Sequence, residues 1–361
     1  MQPKSTIMDL PVYQPGKPIE DVKRELGLED VIKLASNENP YGCSERAKQA
    51  MIAAAEQAYL YPDGAGHELV QALSKFYNVK SEQIIIGAGS DNIITMISRA
   101  YLVPGDETVM ATPSFSQYKH NAKVEGATCV EVPLKDGTHD LEAMAAAITD
   151  KTKIVWVCNP NNPSGTIVTK SRLEQFLGKV PKHVLVVLDE AYCEYIDDEE
   201  YPNGLDYIGE YPNVIVLRTF SKAYGLAALR IGYGIGSPEV IRTINQVREP
   251  FNTTRISQAA ACAALADQDF IAKCRELNRQ GIDYLTRQFE RLGLRYYPAY
   301  GNFILVHVER DAKDIFERLL RKGVIVRGGH TLGFPQSIRV TVGTREQNEK
   351  FILALEEVLK S

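Results

Sequence analysis

Long apolar runs and an excess of basic charge are both missing from this sequence. No segment approaches the roughly 18 consecutive apolar residues that a membrane helix needs. The proline-rich stretch from Met1 to Pro18 lacks the apolar centre of a signal peptide. Lysine and arginine (41) are outnumbered by aspartate and glutamate (46), so the net charge is −5 and attracts neither nucleic acid nor anionic lipid. We expect a cytoplasmic protein that binds neither nucleic acid nor a membrane.

Cysteine is scarce and scattered. The six cysteines include no CxxC pair, and a chain of 361 residues can bury a core without disulfide bonds. We therefore expect free thiols, no zinc site and no other bound metal.

Three apolar, β-rich runs in the middle of the chain stop abruptly at polar residues. Runs without alternation are typical of strands that helices cover on both faces. Helical patterns, for example over 91–102 and 171–178, separate such strands. The pattern therefore predicts an α/β fold with a mostly parallel sheet. The three runs are Lys153–Cys158, Val184–Leu188 and Val214–Leu217.

The character of the sequence changes near residue 250. Beyond it, helical patterns over 255–266 and 271–292 and a few short strands predict a second, smaller α+β domain. At about 150 residues per domain the length allows two or three domains. We predict an extended N-terminal arm, a large domain and a small C-terminal domain over residues 1–30, 31–250 and 251–361.

Ligands of open parallel sheets bind beyond the carboxyl ends of the strands. At these positions the sequence has a glycine-rich turn before a helix, a loop of turn formers, an acid and a lysine. The glycine-rich turn presents free backbone N–H groups and the positive end of a helix dipole, which suits a phosphate. The four segments are Gly87–Asp91, Asn159–Gly165, Asp189–Tyr192 and Thr219–Gly225.

Each segment alone has an ordinary structural explanation. The glycine-rich turn is not a complete dinucleotide-binding fingerprint, because Asn92 stands where the third glycine would be. Asp189 could simply cap a helix, and Lys222 could be an ordinary solvated lysine. Together, and with Arg230 following, they match the needs of pyridoxal phosphate. That cofactor requires a lysine for its aldehyde, an acid for its ring nitrogen and a cradle for its phosphate.

On these residues the chain resembles the fold-type I pyridoxal-phosphate-dependent aminotransferases, from about Leu34 to Gly343. The most specific string is Thr219–Gly225, which contains Lys222 and is followed by Arg230. Within the family the chain is similar to the branch that acts on histidinol phosphate in histidine biosynthesis. The strings that carry this narrower similarity are 13–17, 35–42, 61–63 and 332–334.

The resemblance implies roles for the matching residues around the cofactor. Lys222 would hold pyridoxal 5'-phosphate as a Schiff base, and Asp189 would pair with the ring nitrogen. Asn162 and Tyr192 would bond the phenolic oxygen, with Tyr192 also counted as catalytic. Phe115 would stack on the ring, where the family often has tyrosine or tryptophan. The phosphate would be held by Ser90, Asp91, Thr219, Ser221 and Arg230.

The implied reaction is a ping-pong transamination between glutamate and imidazole acetol phosphate, with Lys222 as general base. We expect Arg339 to anchor the substrate anion, because a planar guanidinium grips a carboxylate or a phosphate through two hydrogen bonds. Tyr61 would reach the phosphate from the neighbouring subunit of a homodimer. Further substrate contacts are predicted at Arg327, Tyr13, Asn37 and Asn252, for which purely structural roles also stand.

Other functions stay open from the sequence. An aromatic amino-acid aminotransferase is an alternative, because imidazole and phenyl rings fill similar pockets. A decarboxylase of a phosphorylated amino acid would also pair arginines with a phosphate. A nicotinamide dehydrogenase would need the complete glycine fingerprint, and a non-catalytic regulator would need a DNA-reading module that the first 30 residues are too few to form.

Overall fold

The computed structural model describes residues 1–10, 12 and 16–360. The strands are β1 (Ile32–Lys33), β2 (Ile84–Gly87), β3 (Glu107–Thr112), β4 (Thr128–Pro133), β5 (Thr152–Cys158), β6 (Leu185–Asp189), β7 (Val214–Thr219), β8 (Gly232–Gly236), β9 (Phe303–His307), β10 (Val324–Ile325), β11 (Arg327–Gly328) and β12 (Ser337–Thr341). Seven of them form one sheet in the order β2-β8-β7-β6-β5-β3-β4. The mostly parallel sheet that the apolar runs predict is thus confirmed, and those runs are β5, β6 and β7.

The direction of the strands decides where polar residues meet. Strands β4, β3, β5, β6 and β7 run parallel, whereas β8 is antiparallel to both of its neighbours, β7 and β2. Strand β2 therefore points the same way as β5, β6 and β7. The residues that follow these four strands all leave the sheet at the same edge, as the sequence argument requires.

Helices cover the sheet on both faces. Other helices pack in the C-terminal part of the chain. Together the helices are α1 (Ile19–Leu26), α2 (Glu45–Ala55), α3 (His67–Tyr77), α4 (Ser90–Tyr101), α5 (Ser116–Val124), α6 (Leu141–Ala146), α7 (Lys170–Leu177), α8 (Pro238–Asn245), α9 (Arg255–Leu265), α10 (Gln268–Arg291), α11 (Ala312–Arg321) and α12 (Arg345–Lys360). All residues of β6 and β7 are buried, which explains why these strands are continuously apolar rather than alternating.

The N-terminal segment is less extended than its prolines predict. A short 3-10 turn spans Ser5–Ile7, and α1 begins directly after Pro18. Proline is tolerated at a helix start because the missing N–H has no partner there in any case. The buried Val22 of α1 packs with Ala35 and Ile325, so this helix is attached to the C-terminal part of the chain.

Buried side chains form two clusters around the large sheet and a third in the C-terminal part. The third includes residues of β9 and β12, which form a three-stranded antiparallel sheet with β11, and Val324 of β10, which pairs in parallel with β1. Ala260 and Ala264 of α9 belong to the first cluster, on the large-sheet side. The domain boundary at residue 250 stays a prediction. Ile271 near the start of α10 also packs in the first cluster, and Leu285 and Phe289 near its end pack in the third.

The helices and the cysteines of the described residues were compared with what membrane spans and disulfide bonds require. Within residues 1–10, 12 and 16–360, no helix combines the length and the apolar character needed to cross a membrane. All six cysteines lie in this part of the chain and are free thiols.

Gly225 fixes the loop after β7 against the beginning of the chain. It has φ of 70°, and a Cβ placed on it would lie 1.9 Å from the carbonyl oxygen of Gly42. No side chain fits at that distance. The close approach of these two backbones holds the loop that carries Lys222 in place.

Gly225→Ala should lower the free energy of unfolding by more than about 3 kcal/mol, because the Gly42 backbone would have to move. Gly27 is the matched control, since it has φ of 66° and no atom within 4 Å of an added Cβ. Gly27→Ala should cost about 1 kcal/mol from backbone strain alone. Denaturant unfolding of both variants measures the difference, and equal losses would contradict the role of the close contact.

Candidate active site

The carboxyl ends of β5, β6, β7 and β2 bring the predicted residues to one edge of the large sheet. Asp189 is the last residue of β6, and it lies opposite Cys158 of β5 and Leu217 of β7. The Lys222 loop follows β7, and Ser90 begins α4 just after β2. The site is therefore a direct consequence of strand order.

Asp189 is a buried acid, with only 3% of its surface exposed. Its Oδ2 accepts a hydrogen bond of 2.6 Å from the Tyr118 hydroxyl, and its Oδ1 accepts one of 3.2 Å from the Ala191 N–H. Burial raises the pKa of Asp189 to about 6 in spite of these donors, with Asp91 and Glu190 adding to the increase. The carboxylate lacks the full compensation that a buried charge requires.

Lys222 lies beside Tyr192 in the same region. Its Nζ donates to the carbonyl oxygen of Ser36 at 3.4 Å and lies 5.6 Å from the centre of the Tyr192 ring. Burial, and then the positive charges of Arg339 and Arg230, lower the pKa of Lys222 to about 8. A sizeable fraction of the amine is neutral near physiological pH, and only the neutral amine is a nucleophile.

Tyr192, Asn162 and Arg339 form a continuous hydrogen-bonded group. The Tyr192 hydroxyl accepts from Asn37 Nδ2 at 3.0 Å and from Asn162 Nδ2 at 3.4 Å. Arg339 donates to Asn162 Oδ1 at 2.6 Å and to the carbonyl oxygen of Ala35 at 2.7 Å. The structure thus brings together Asn37, Asn162, Tyr192 and Arg339, all of them candidate site residues from the sequence, and the C-terminal part of the chain supplies the arginine.

The start of α4 forms a cradle for an anion. Gly89 has φ of 78°, and a Cβ on it would lie 2.6 Å from the Arg230 guanidinium. Likewise, a Cβ on Gly232 would lie 2.7 Å from the N–H nitrogen of Ser90. The two glycines leave this helix start and Arg230 clear of side-chain atoms, so backbone donors and a cation can face one ligand.

Arg230 connects the other predicted phosphate residues. It donates to Ser221 Oγ at 3.2 Å and to Asp91 Oδ2 at 3.4 Å. The Thr219 hydroxyl accepts from the Ser221 N–H at 3.1 Å. The Asp91 carboxylate therefore holds the guanidinium, while Ser221 and Thr219 shape the turn beside it.

Some predicted residues lie apart from this cluster. Tyr61 is 78% exposed and stacks on Phe251, with ring centres 4.6 Å apart. Asn252 donates to the carbonyl oxygen of Ile86 and to Asn92, so it supports the turn between β2 and α4. Tyr13 lies outside the described residues.

Arg327 lies beside Arg339 in the three-stranded sheet of β9, β11 and β12. Arg327 is the register partner of Arg339 on the neighbouring strand, so the two side chains leave the same face of this small sheet.

Phe115 precedes α5 and makes an edge-to-face contact with Tyr118, with ring centres 5.5 Å apart. Tyr118 and Ser36 were not singled out from the sequence. The spacing of Tyr118 three residues after Phe115, one helical turn away, is a signal that could have found it.

The parallel sheet, the strand-end cluster and the anion cradle define the class of protein. A family model described as aminotransferase class I and II matches residues 29–355. The chain belongs to this family, which confirms the family resemblance seen in the sequence.

Relatives that are similar over the whole chain carry a narrower name. The chain is 58% identical over 359 residues to the histidinol-phosphate aminotransferase of Brevibacillus brevis, covering 99% of each chain. It is 53% identical to that of Bacillus velezensis, over 99% of this chain and 100% of the relative. The crystal structure of histidinol-phosphate aminotransferase from Sinorhizobium meliloti in complex with pyridoxal-5'-phosphate has a TM-score of 0.91 at 31% identity. The alignment covers 99% of this chain and 97% of that one.

The raised pKa of Asp189 has a consequence for stability. The folded state favours the protonated carboxyl, so the stability of the cofactor-free protein falls as pH rises from about 4 through about 6. Asp189→Asn removes the charge and should raise the free energy of unfolding by up to about 3 kcal/mol at pH 8, and by less at pH 5.

Thermal or denaturant unfolding of the cofactor-free protein at both pH values measures this gain. The exposed Asp197 is the matched control, and Asp197→Asn should leave stability nearly unchanged at each pH. A loss of stability in Asp189→Asn at pH 8 would show that the carboxylate is better compensated than the structure indicates.

Proposed function

We propose that this enzyme transfers an amino group between L-histidinol phosphate and 2-oxoglutarate, in histidine biosynthesis, with pyridoxal 5'-phosphate as its cofactor. The products are imidazole acetol phosphate and L-glutamate. The observation that carries the proposal is the meeting of Lys222, Asp189 and the anion cradle of Ser90 at one edge of the sheet. Relatives that carry the name of this activity, at more than half identity over the whole chain, support the substrate.

The residues at the sheet edge fit this cofactor. The undercompensated carboxylate of Asp189 requires a cationic partner, which a protonated ring nitrogen provides. The cradle of Gly89 and Gly232 has the open donors that a phosphate requires. When bound, pyridoxal phosphate supplies an aldehyde that exchanges amines and a ring that accepts electrons.

Each predicted contact has a definite task in this proposal. Asp189 would hold the ring nitrogen, Tyr192 and Asn162 would bond the phenolic oxygen, and Phe115 would stack on the ring. The residues that hold the phosphate are Ser90, Asp91, Thr219, Ser221 and Arg230. Asp91 acts there through Arg230, because its negative charge orients the guanidinium rather than facing the phosphate.

Lys222 supplies both the covalent attachment and the proton transfer. Lys222 would hold the aldehyde of the cofactor, and its pKa of about 8 leaves enough neutral amine at Nζ to accept a proton from an α-carbon of the substrate. The cations that lower this pKa, Arg339 and Arg230, also bind the anionic ends of the ligands. Lys222 is therefore held between two anion sites.

Arg339 and Arg327 give the substrate site its charge. Both guanidinium groups leave one face of the small sheet, and a planar guanidinium binds carboxylate or phosphate equally well. The glutamate carboxylate and the histidinol phosphate group can therefore use the same site in turn, as a ping-pong reaction requires. Tyr13 and Asn37 are proposed as additional contacts, and Asn252 as a weaker one.

The test of this function is a comparison of substrates. Purified enzyme should show a kcat/KM for histidinol phosphate that is at least about tenfold above those for phenylalanine and tyrosine, because a hydrophobic pocket alone separates similar rings poorly and the phosphate adds a charged contact. Steady-state transamination with 2-oxoglutarate measures these values. Lys222→Ala is the control that should abolish turnover of every donor.

A preference for phenylalanine or tyrosine would instead indicate the aromatic aminotransferase. Release of carbon dioxide from a phosphorylated amino acid would indicate the decarboxylase. Turnover by Lys222→Ala at the parental rate would contradict the chemistry assigned to the lysine.

We also propose a homodimer with shared active sites, composed of cytoplasmic chains. Tyr61 is exposed and stacked on the half-exposed Phe251, and it is proposed to reach the cofactor phosphate of the other subunit. Ile52, Tyr59 and Leu60 are exposed nearby in the sequence, and such apolar residues commonly mark an interface. The predicted division into residues 1–30, 31–250 and 251–361 is retained, with α9 packed on the large domain.

Mixed dimers test the sharing of sites. Lys222→Ala dimers should be inactive, and Tyr61→Ala dimers should bind the cofactor more weakly and lose most activity at limiting cofactor. Dissociated and reassociated together, half of the hybrid's sites would carry neither substitution, so activity should reappear in about half the dimers, a quarter of all sites. Activity that never exceeds the average of the two separate preparations would contradict the shared site.

A further inference from the structure

Tyr118 is a fully buried tyrosine whose hydroxyl faces the acid of the active site. Its hydroxyl donates to Asp189 Oδ2 at 2.6 Å, a distance typical of a charge-assisted O–H···O bond. Tyr118 has no role in the proposed reaction as described so far. It is the one side-chain hydroxyl that is hydrogen-bonded to Asp189 among the described residues.

Tyr118 is held in place by two aromatic contacts. Its ring stacks on Trp156 of β5, with centres 4.8 Å apart and an angle of 12° between planes. The indole N–H of Trp156 in turn donates to Thr108 Oγ1 at 2.7 Å, and Thr108 donates to the carbonyl oxygen of Ile154. The Phe115 ring also makes an edge-to-face contact with the Tyr118 ring, with ring centres 5.5 Å apart. The hydroxyl therefore has little freedom to turn away.

The direction of this hydrogen bond is also fixed. Burial raises the pKa of Tyr118 well above its ordinary value, and the neighbouring Asp189 and Cys158 add to that increase. The phenol consequently keeps its proton and always donates. A donor favours the ionised carboxylate over the protonated one, while the negative charges of Asp91 and Glu190 act in the opposite sense.

We propose that Tyr118 is a positioning residue for the reaction: its hydroxyl keeps Asp189 ionised and correctly oriented, so that the proton shared with the cofactor stays on the ring nitrogen. Ala191 fixes the other oxygen through its N–H, and each carboxylate oxygen retains a lone pair for the ligand. This inference rests on the proposed function, in which Asp189 faces that nitrogen.

The consequence is a measurable change in the ring nitrogen. Without the Tyr118 hydroxyl, the carboxylate is more basic and competes better for the proton. In Tyr118→Phe the ring stack and the contact with Phe115 are retained, so only the hydroxyl is lost. The variant should bind pyridoxal phosphate about tenfold more weakly, the usual effect of one hydrogen bond to a charged group.

The experiment is nitrogen-15 NMR of the full-length enzyme loaded with ring-labelled pyridoxal phosphate, together with a fluorescence titration of cofactor binding. The nitrogen signal of the parent should be that of the protonated ring, and the signal of Tyr118→Phe should shift toward the unprotonated ring. Tyr233→Phe is the matched control, because Tyr233 is also fully buried and its hydroxyl bonds that of Tyr77 at 2.6 Å. This control should keep the parental signal.

Two further variants separate this inference from the proposed function. Asp189→Asn should give an unprotonated ring nitrogen, and adding Tyr118→Phe to it should produce no further change. If Asp189→Asn keeps the parental signal, the assignment of Asp189 fails and this inference fails with it. If Asp189→Asn behaves as expected while Tyr118→Phe matches the parent in signal and affinity, this inference alone is refuted. An equal shift in Tyr233→Phe would also refute it, because general loosening of the core would then explain the result.

Discussion

The active site depends on a negative charge buried at the end of an apolar strand. Asp189 has two donors, yet its pKa rises to about 6, while the pKa of Lys222 falls to about 8. Both shifts favour the neutral forms, so the protein alone stabilises neither charge fully. A ligand with a cationic nitrogen and a phosphate resolves this imbalance. The fold loses stability because it buries the carboxylate of Asp189 without full compensation. The same carboxylate makes the site selective for such a ligand.

The neighbouring acid has a cationic partner within the protein, although burial still raises its pKa. Glu190 is as buried as Asp189, but its Oε2 accepts two hydrogen bonds from Arg218, and its Oε1 accepts one from the Gly204 N–H. Glu190 follows Asp189 at the strand end and points away from the site, toward a guanidinium that lies over Tyr77. Adjacent acids thus have opposite roles: Glu190 ties neighbouring segments together, and Asp189 remains available to the ligand.

The sequence predicts the large sheet and most of the site, because both follow from local patterns. Continuous apolar runs identify β5, β6 and β7, and the polar residues after them include Asp189 and Lys222. Ser36 was missed, and the bonding of Asn37 was not foreseen, because pairing of β1 with β10 and the hydrogen bond from Arg339 to Ala35 bring that segment to the site from a distant part of the chain. No local pattern reports such a contact. The helix that begins directly after Pro18 was not foreseen either.

The proposed arrangement of cations would let an acidic protein bind anions and catalyse proton transfer with one lysine. Arg339 and Arg230, the two cations proposed to bind the anionic ends of the ligands, lower the pKa of Lys222. An anion bound to either guanidinium offsets part of its charge, so the pKa of Lys222 rises toward its ordinary value when the site is filled. The lysine is then a weak base in the empty protein and a stronger one with ligands bound. Binding energy at the two ends of the site is thereby coupled to basicity at its centre, which the net charge of −5 gives no means of predicting.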